Sequence, residues 1–473
     1  MTLTRLAVAS FAGIVLLSSP PVHARQEDDF KKRVDLAVDK GVEWIRGLDS
    51  MKKVQENPKE AVEYFIPCYR SHWLGEFAAL TLLVAGVEPG DPLLKALIEA
   101  VNLAPWRDTY NVALRACIYA ILLDKNPDDG DSFIRLALTM KFLIETQLPN
   151  GRWSYGFGYL PGGSDKAYQP TASATVIDKN VRAATQALTD FGVKLRDEMR
   201  KMKKDAADLK EATLSLAIRR EGKLSTALTH GDYSNSQFAA LGLLAASRSR
   251  LRLAPGVFAR LQLPGTCVES ALSTWLADQE SDGGWSYTSR REDFSTGRTA
   301  YGSMTCGGLF AIESLKRVAD GVDPKGLSVN DAKKLKAAVD LVGRASDKAA
   351  RWIGDHFKVD ANPDAAKIWE ESSTSLFLYY YLFSLERAAS HGKREKFGKS
   401  DWYGEGAAYI LKAQESDGGW PAETFIKDEE ERAKKTPKER QLISTGFSIL
   451  FLRRATAKIA PPDVATPGGG KKR

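Results

Sequence analysis

Three short segments of this chain repeat one another: Gln147-Leu-Pro-Asn-Gly-Arg-Trp153, Gln279-Glu-Ser-Asp-Gly-Gly-Trp285 and Gln414-Glu-Ser-Asp-Gly-Gly-Trp420. Each glutamine closes an amphipathic stretch, and each tryptophan follows six positions later across a glycine turn. Such self-similarity marks a repeat architecture, in which one unit buries its apolar face only against the next. The glutamines at 147, 279 and 414 lie too far apart for one helix pair per interval, so each interval should hold two.

Apolar residues at three-and-four spacing recur in couples that fit this count. They predict helices at about 33–48 and 71–85, 91–102 and 109–123, and 132–147 and 234–247. Further couples follow at 267–279 and 299–316, 345–357 and 373–389, and 402–414 and 442–455. The second member is the more apolar, as in Phe238-Ala-Ala-Leu-Gly-Leu-Leu-Ala-Ala246, and a helix apolar on most sides is a buried one. The first members carry charge on one face. The expected fold is all-α: an (α/α)6 toroid, a barrel of six outer–inner helix pairs. A glutamine at a helix end is expected to bond free backbone groups of a neighbouring terminus, with the tryptophan ring shielding that bond.

The N-terminus bears on location. Arg5 precedes an uncharged apolar run from Leu6 to Leu17, then Pro20, Pro21 and Val22-His23-Ala24. That is the pattern of a secretory signal peptide, and the run is shorter than the ~20 residues a membrane-spanning helix needs. The expected division is residues 1–24 as signal peptide, 25–458 as the toroid and 459–473 as a disordered tail. An exported protein (periplasmic or secreted) with no integral membrane segment after cleavage follows. Net charge is only +7, with 67 Lys+Arg against 60 Asp+Glu, which gives no support to nucleic-acid binding. The cysteines Cys68, Cys117, Cys267 and Cys306 form no close motif, and their pairing stays open.

Gln-x5-Trp with Asp-Gly-Gly-Trp resembles the repeat shared by squalene–hopene cyclases, oxidosqualene cyclases and protein prenyltransferase β subunits. Tyr301-Gly-Ser-Met-Thr-Cys-Gly-Gly-Leu309 is similar to the glycine-rich start of an inner helix in that superfamily. Asp232-Tyr-Ser-Asn-Ser-Gln-Phe-Ala239 resembles a segment of its bacterial repeat proteins. The resemblance implies the toroid, whereas the chemistry of those enzymes lacks its residues here. Squalene–hopene cyclases carry an Asp-x-Asp-Asp acid. The nearest stretch, Asp128-Asp-Gly-Asp131, reads better as a turn with helix-start charges. Prenyltransferase zinc needs Asp, Cys and His; around Cys306 no such set is complete. Neither a catalytic residue nor a metal or other cofactor is therefore assigned.

In such a toroid the inner-helix N-termini share one rim, where free N–H groups and long loops meet. The candidate binding rim comprises His72, Tyr110, His230, Asp232, Asn235 and Gln237, with Tyr301, Cys306, Glu371 and Thr374. His230 with Asp232 is too small a set for a metal or an oriented base. Glu76 and Glu371 suggest a carboxylate pair for glycoside hydrolysis. Phe77, Phe310, Phe377 and Tyr379 to Tyr381 suit either a terpene pocket or plain core. One insertion is individual: Val181, Ala184, Leu188, Phe191, Leu195, Met199, Met202, Ala206, Leu209, Thr213 and Leu216 recur at threes and fours, so 171–221 is expected to be helical. It could be one ~60 Å helix or a hairpin broken at Gly192, either packed along the toroid or offered to a partner. The leading expectation is an exported toroid binding an apolar small molecule, a glycan or a protein. The alternatives are a terpenoid cyclase- or prenyltransferase-like enzyme acting on an isoprenoid, and a polysaccharide-processing (α/α)6 enzyme.

Overall fold

The computed structural model describes residues 22–59, 74–106, 108–155, 174–222, 231–288, 299–368, 376–422 and 437–459. The expected signal-peptide core, His72, His230, Glu371, Thr374, Cys68 and the expected C-terminal tail from residue 460 onward lie outside these residues. The fold is mostly helical. In chain order the helices are α1 (Val22–Gly47), α2 (Asp49–Glu56), α3 (Leu74–Ala85), α4 (Pro92–Leu103), α5 (Thr109–Lys125), α6 (Gly130–Thr146) and α7 (Ala174–Ala206). After α7 come β1 (Ala212–Ala217), α8 (Tyr233–Arg248), β2 (Arg250–Ala254) and β3 (Val257–Gln262). The chain continues with α9 (Gly265–Ala277), α10 (Gly302–Ala319), α11 (Val329–Asp355), α12 (Leu378–His391), α13 (Trp402–Ala413), α14 (Pro437–Leu452) and α15 (Ala455–Ile459).

Two kinds of helix alternate, as the patterning predicts. In α8 every residue from Tyr233 to Ala246 is buried, and α3, α5 and α10 are nearly as enclosed. In α11, by contrast, burial follows a stripe: Leu335, Ala338, Val342, Ala345, Ala349, Trp352 and Ile353. The enclosed helices pack in sequence, α3 on α5, α5 on α8, α8 on α10, α10 on α12 and α12 on α14, and α14 returns to α3. The striped helices pack outside them, with α9 against α11 and α13 against α1. Aspartate starts several of these helices: Asp91, Asp108, Asp129, Asp232 and Asp401 accept first-turn N–H groups. Each such cap contributes about 0.5–2 kcal/mol.

The repeated segments tie the outer helices to one another. The Gln147 amide donates to the Gly151 carbonyl at 3.1 Å and to the Cys267 carbonyl of α9 at 2.9 Å. Gln279 does the same with Gly283 and Ala345 of α11, both at 2.9 Å. Gln414 reaches Gly418 and Ala37 of α1, both at 2.8 Å. Two of the three acceptors, Ala345 and Ala37, lie on the flank of the next outer helix rather than at its terminus as expected. Each tryptophan is fully enclosed. Its ring N–H donates to a carbonyl ten residues back, and its backbone N–H donates to an inner-helix hydroxyl: Ser236 and Thr305 in the first turns of α8 and α10, and Thr445 further inside α14.

Two expectations need correction. The insertion is helical only to Ala206, and residues 212–217 form a strand. β1 pairs in parallel with β3, and β3 pairs antiparallel with β2. Thr213 and Leu216 match a helical spacing, but the strand's period of two buries Leu216 and exposes Thr213, Ser215 and Ala217. The alternation Arg250-Leu-Arg-Leu253 followed by Pro255-Gly256 is a hairpin signal that helix-seeking passes over. Gly192 does not break α7. It lies beside Leu138 of α6, where an added Cβ would make only an ordinary van der Waals contact at 3.6 Å. Val181, Ala184, Leu188, Leu195 and Met199 are buried, so the arm, about 50 Å long at ~1.5 Å per residue, packs along the body.

The third clasp joins the chain's end to its beginning, and its turn tolerates no side chain. Gly418 has φ +97°, and a Cβ there would stand 2.7 Å from the Lys40 carbonyl oxygen. Gly418→Ala should lower stability to chemical denaturation well below Gly47→Ala, where nothing lies within 4 Å. Trp420→Ala should cost about 3–5 kcal/mol. Equal stability of the two alanine variants would mean that this turn constrains nothing.

Candidate functional site

The N-termini of α5, α8 and α10 meet because the residues after each clasp bridge them. Thr109 Oγ1 donates to the Ser154 carbonyl at 2.6 Å. The Asp232 N–H bonds the Trp153 carbonyl, the Tyr233 N–H bonds Tyr287, and the Tyr301 N–H bonds Trp285. This junction assembles tyrosines from separate parts of the chain. The Tyr155 and Tyr287 hydroxyls lie 3.0 Å apart, and the Tyr110 ring is stacked on Tyr155 with centroids 6.1 Å apart.

Hydroxyls then lead inward. Tyr110 hydrogen-bonds Ser234, and the Ser234 hydroxyl lies 2.7 Å from that of Tyr380. The Gln237 amide donates to the Tyr380 oxygen, while Gln237 Oε1 accepts from Arg387 Nη2. Arg387 also donates to Ser384 at 3.0 Å and is wholly buried. Its guanidinium stands 4.6 Å over the Phe383 ring, 4.9 Å over Phe238 and 5.3 Å over Phe310. Its Nε and Nη1 have no hydrogen-bond partner among the described residues; the rings around the guanidinium attract a cation through their quadrupoles. The result is an aromatic cage already filled by a cation.

Of the sequence candidates, Tyr110 and Gln237 belong to this chain of bonds. Asp232 and Asn235 form a cap: Asp232 accepts from the Asn235 N–H at 2.7 Å and from its side-chain amide at 2.8 Å. Tyr301 is buried at the start of α10, and Cys306 lies one turn further in. Burial pushes the Cys306 thiol above the usual range. Glu76, the other carboxylate considered for glycoside hydrolysis, is held by Arg115 at 2.8 Å in the core. Arg115 also donates to Ala104 and Pro105 carbonyls at 3.1 Å, so this pair is structural. Asp129 of the Asp-rich turn caps α6.

Ser234, Arg387, Tyr155, Tyr287 and Asp108 escape sequence reasoning, and Tyr380 enters it only as an aromatic of a pocket or of the core. The available signal for Arg387 was an arginine inside the apolar helix Leu378–His391, which burial should forbid unless it is partnered. Asp108 repeats the Asp232 pattern one inner helix earlier, with Asn111 in place of Asn235.

Burial raises three carboxyls toward neutrality: Asp108 to about 7, Asp232 to about 6 and Glu386 to about 7. An acid whose native affinity for its proton exceeds the unfolded one holds more protons when folded, so stability falls as pH rises between the two values. Unfolding measured from pH 4 to pH 7 should therefore show stability declining over that window. Asp108→Asn and Asp232→Asn should each flatten the slope; a slope unchanged in both would contradict the assignment.

No family model matches this chain. It is similar to lanosterol synthase erg7A of Aspergillus fumigatus, 31% identical over 116 residues, which is 24% of this chain and 14% of that protein. Among the described residues no helix is long and apolar enough to cross a membrane.

Proposed function

We propose that this chain is an exported (α/α)6 toroid of the squalene cyclase and prenyltransferase repeat type, and that it binds a hydroxylated polycyclic lipid instead of making one. The closed order of helix contacts and the third clasp from α13 to α1 support the ring. The apolar run at residues 6–17 supports export. The ligand class rests on the tyrosine-lined junction and on the partial likeness to lanosterol synthase.

The observation that carries the choice of binder over cyclase is Arg387 in its phenylalanine cage. A cyclase needs free π faces for the cationic charge that develops during ring closure. Here three faces are engaged by a permanent guanidinium. A second unit charge at ~5 Å from it would meet about 3 kcal/mol of repulsion at an effective dielectric of ~20. The raised carboxyls do not offset this, because the oxygens of Asp232 are taken up by its helix cap. For the same reason the polysaccharide-processing alternative lacks a free carboxylate pair among the described residues at this junction.

Purified protein incubated with squalene, oxidosqualene or a prenyl diphosphate should give no cyclised or transferred product. Titration with lanosterol should instead give saturable binding by tryptophan fluorescence. Tyr380→Phe removes one hydroxyl from the chain and should weaken that binding about 5-fold, the worth of a net hydrogen bond of about 1 kcal/mol. Product formation from squalene, or lanosterol binding indifferent to Tyr380→Phe, would overturn the proposal.

A further inference from the structure

The small sheet presents a second surface, at the other end of α8. β2 begins two residues after α8 ends at Arg248, and the Arg252 N–H bonds the Pro127 carbonyl just beyond the C-terminus of α5. At ~1.5 Å per residue the 16-residue α8 separates this surface from Asp232 by about 24 Å. One face of the sheet is core: Leu216, Leu251, Ala259 and Leu261 are buried. The alternation of strands sends Ser215, Arg250, Arg252 and Arg260 to the other face.

On that outer face Arg250 and Arg260 are direct cross-strand partners. Side chains so placed have Cβ atoms about 4.5–5.5 Å apart, and like charges there destabilise a sheet. Ser215 is the cross-strand partner of Arg260 on its other side and accepts from its Nε at 3.4 Å. Arg250 has no ion pair among the described residues, and Arg252 meets Asp128 only at 3.5 Å. Core packing explains which face points out, but it does not explain arginine opposite arginine. Planar guanidiniums aligned along and across strands suit oxyanions taken two oxygens at a time.

We infer that the Arg250–Arg260 face of the sheet binds an acidic polysaccharide through its carboxylates or sulfates. A linear polyanion places charges in series along a flat face, and the Ser215 hydroxyl and Gln262 amide beside the arginines can bond sugar hydroxyls. A membrane surface fits less well: the exposed large hydrophobics among the described residues, Leu36, Leu103, Val193, Leu209, Val329 and Leu341, do not lie on these strands. This inference is independent of what the tyrosine junction binds.

The test uses the full-length protein with polygalacturonate and heparin as probes, and phosphatidylglycerol vesicles as the competing surface. Wild type should bind at least one polysaccharide, more weakly as salt rises. Arg250→Ser with Arg260→Ser should lose at least 10-fold in affinity while its melting temperature stays equal or rises, since the mutual repulsion is gone. Lys333→Ser with Lys334→Ser removes two exposed charges from α11 and should leave affinity unchanged. Equal losses in the two double variants, retention of affinity without the arginines, or binding to vesicles alone would overturn the inference.

Discussion

The glutamine–tryptophan clasp is the interaction on which the arrangement depends. An outer helix carries a narrow apolar stripe and cannot hold its own place around a cluster of enclosed helices. The clasp supplies that place with three bonds of fixed direction. The glutamine amide reaches the next outer helix. The tryptophan ring anchors the turn to its own helix, and the tryptophan backbone anchors it to an inner helix. Aspartate in two of the turns adds a fourth link, accepting from Trp352 and Trp44 on the neighbouring outer helices at 3.2 and 2.9 Å. The tryptophans are enclosed and the glutamines at least partly so, so leaving their polar groups unpaired is costly and the geometry has little freedom. The turn aspartates are exposed, and their link is weaker.

The same device builds the candidate site. By fixing the start of α8 against Trp153 and of α10 against Trp285, the clasps oblige the following residues to converge. Tyrosines distant in sequence then share one junction, and a file of hydroxyl and amide groups runs from it to Arg387. The buried Arg387 is held by π faces, the Gln237 oxygen and the Ser384 hydroxyl, with no counter-ion at contact among the described residues. Burial accordingly lowers its affinity for its proton. An interior so arranged already carries a positive charge, and this charge is what supports our proposal of a binder rather than a cyclase.

Much of the helical framework was legible in the sequence because it rests on local periodicity. Ten of the twelve couple members read from three-and-four spacing have counterparts within about five residues, while α1 and α11 begin 11 and 16 residues before the expected 33 and 345, and the glycine turns announce the clasps. What escaped was set by tertiary placement. The sheet was hidden because Thr213 and Leu216 continue the helical spacing of the insertion, whereas pairing with β3 puts them on opposite faces of a strand. Arg387 and Ser234 were missed because their roles depend on facing Gln237 and Tyr380 from other helices. Cys306 and Tyr301 illustrate the converse: prominent in sequence, both are enclosed by packing in the folded chain.

Closure of the ring is the claim that most needs a direct measurement, and hydrogen exchange on the native protein supplies one. A helix at a chain terminus ordinarily frays and exchanges early. If Gln414 truly fastens α13 to α1, amides around Ala37 should exchange only with the slowest core amides, and Gln414→Ala should release them selectively. Early exchange of α1 in the wild-type protein, or no change in the variant, would show that the two ends of the chain are not joined.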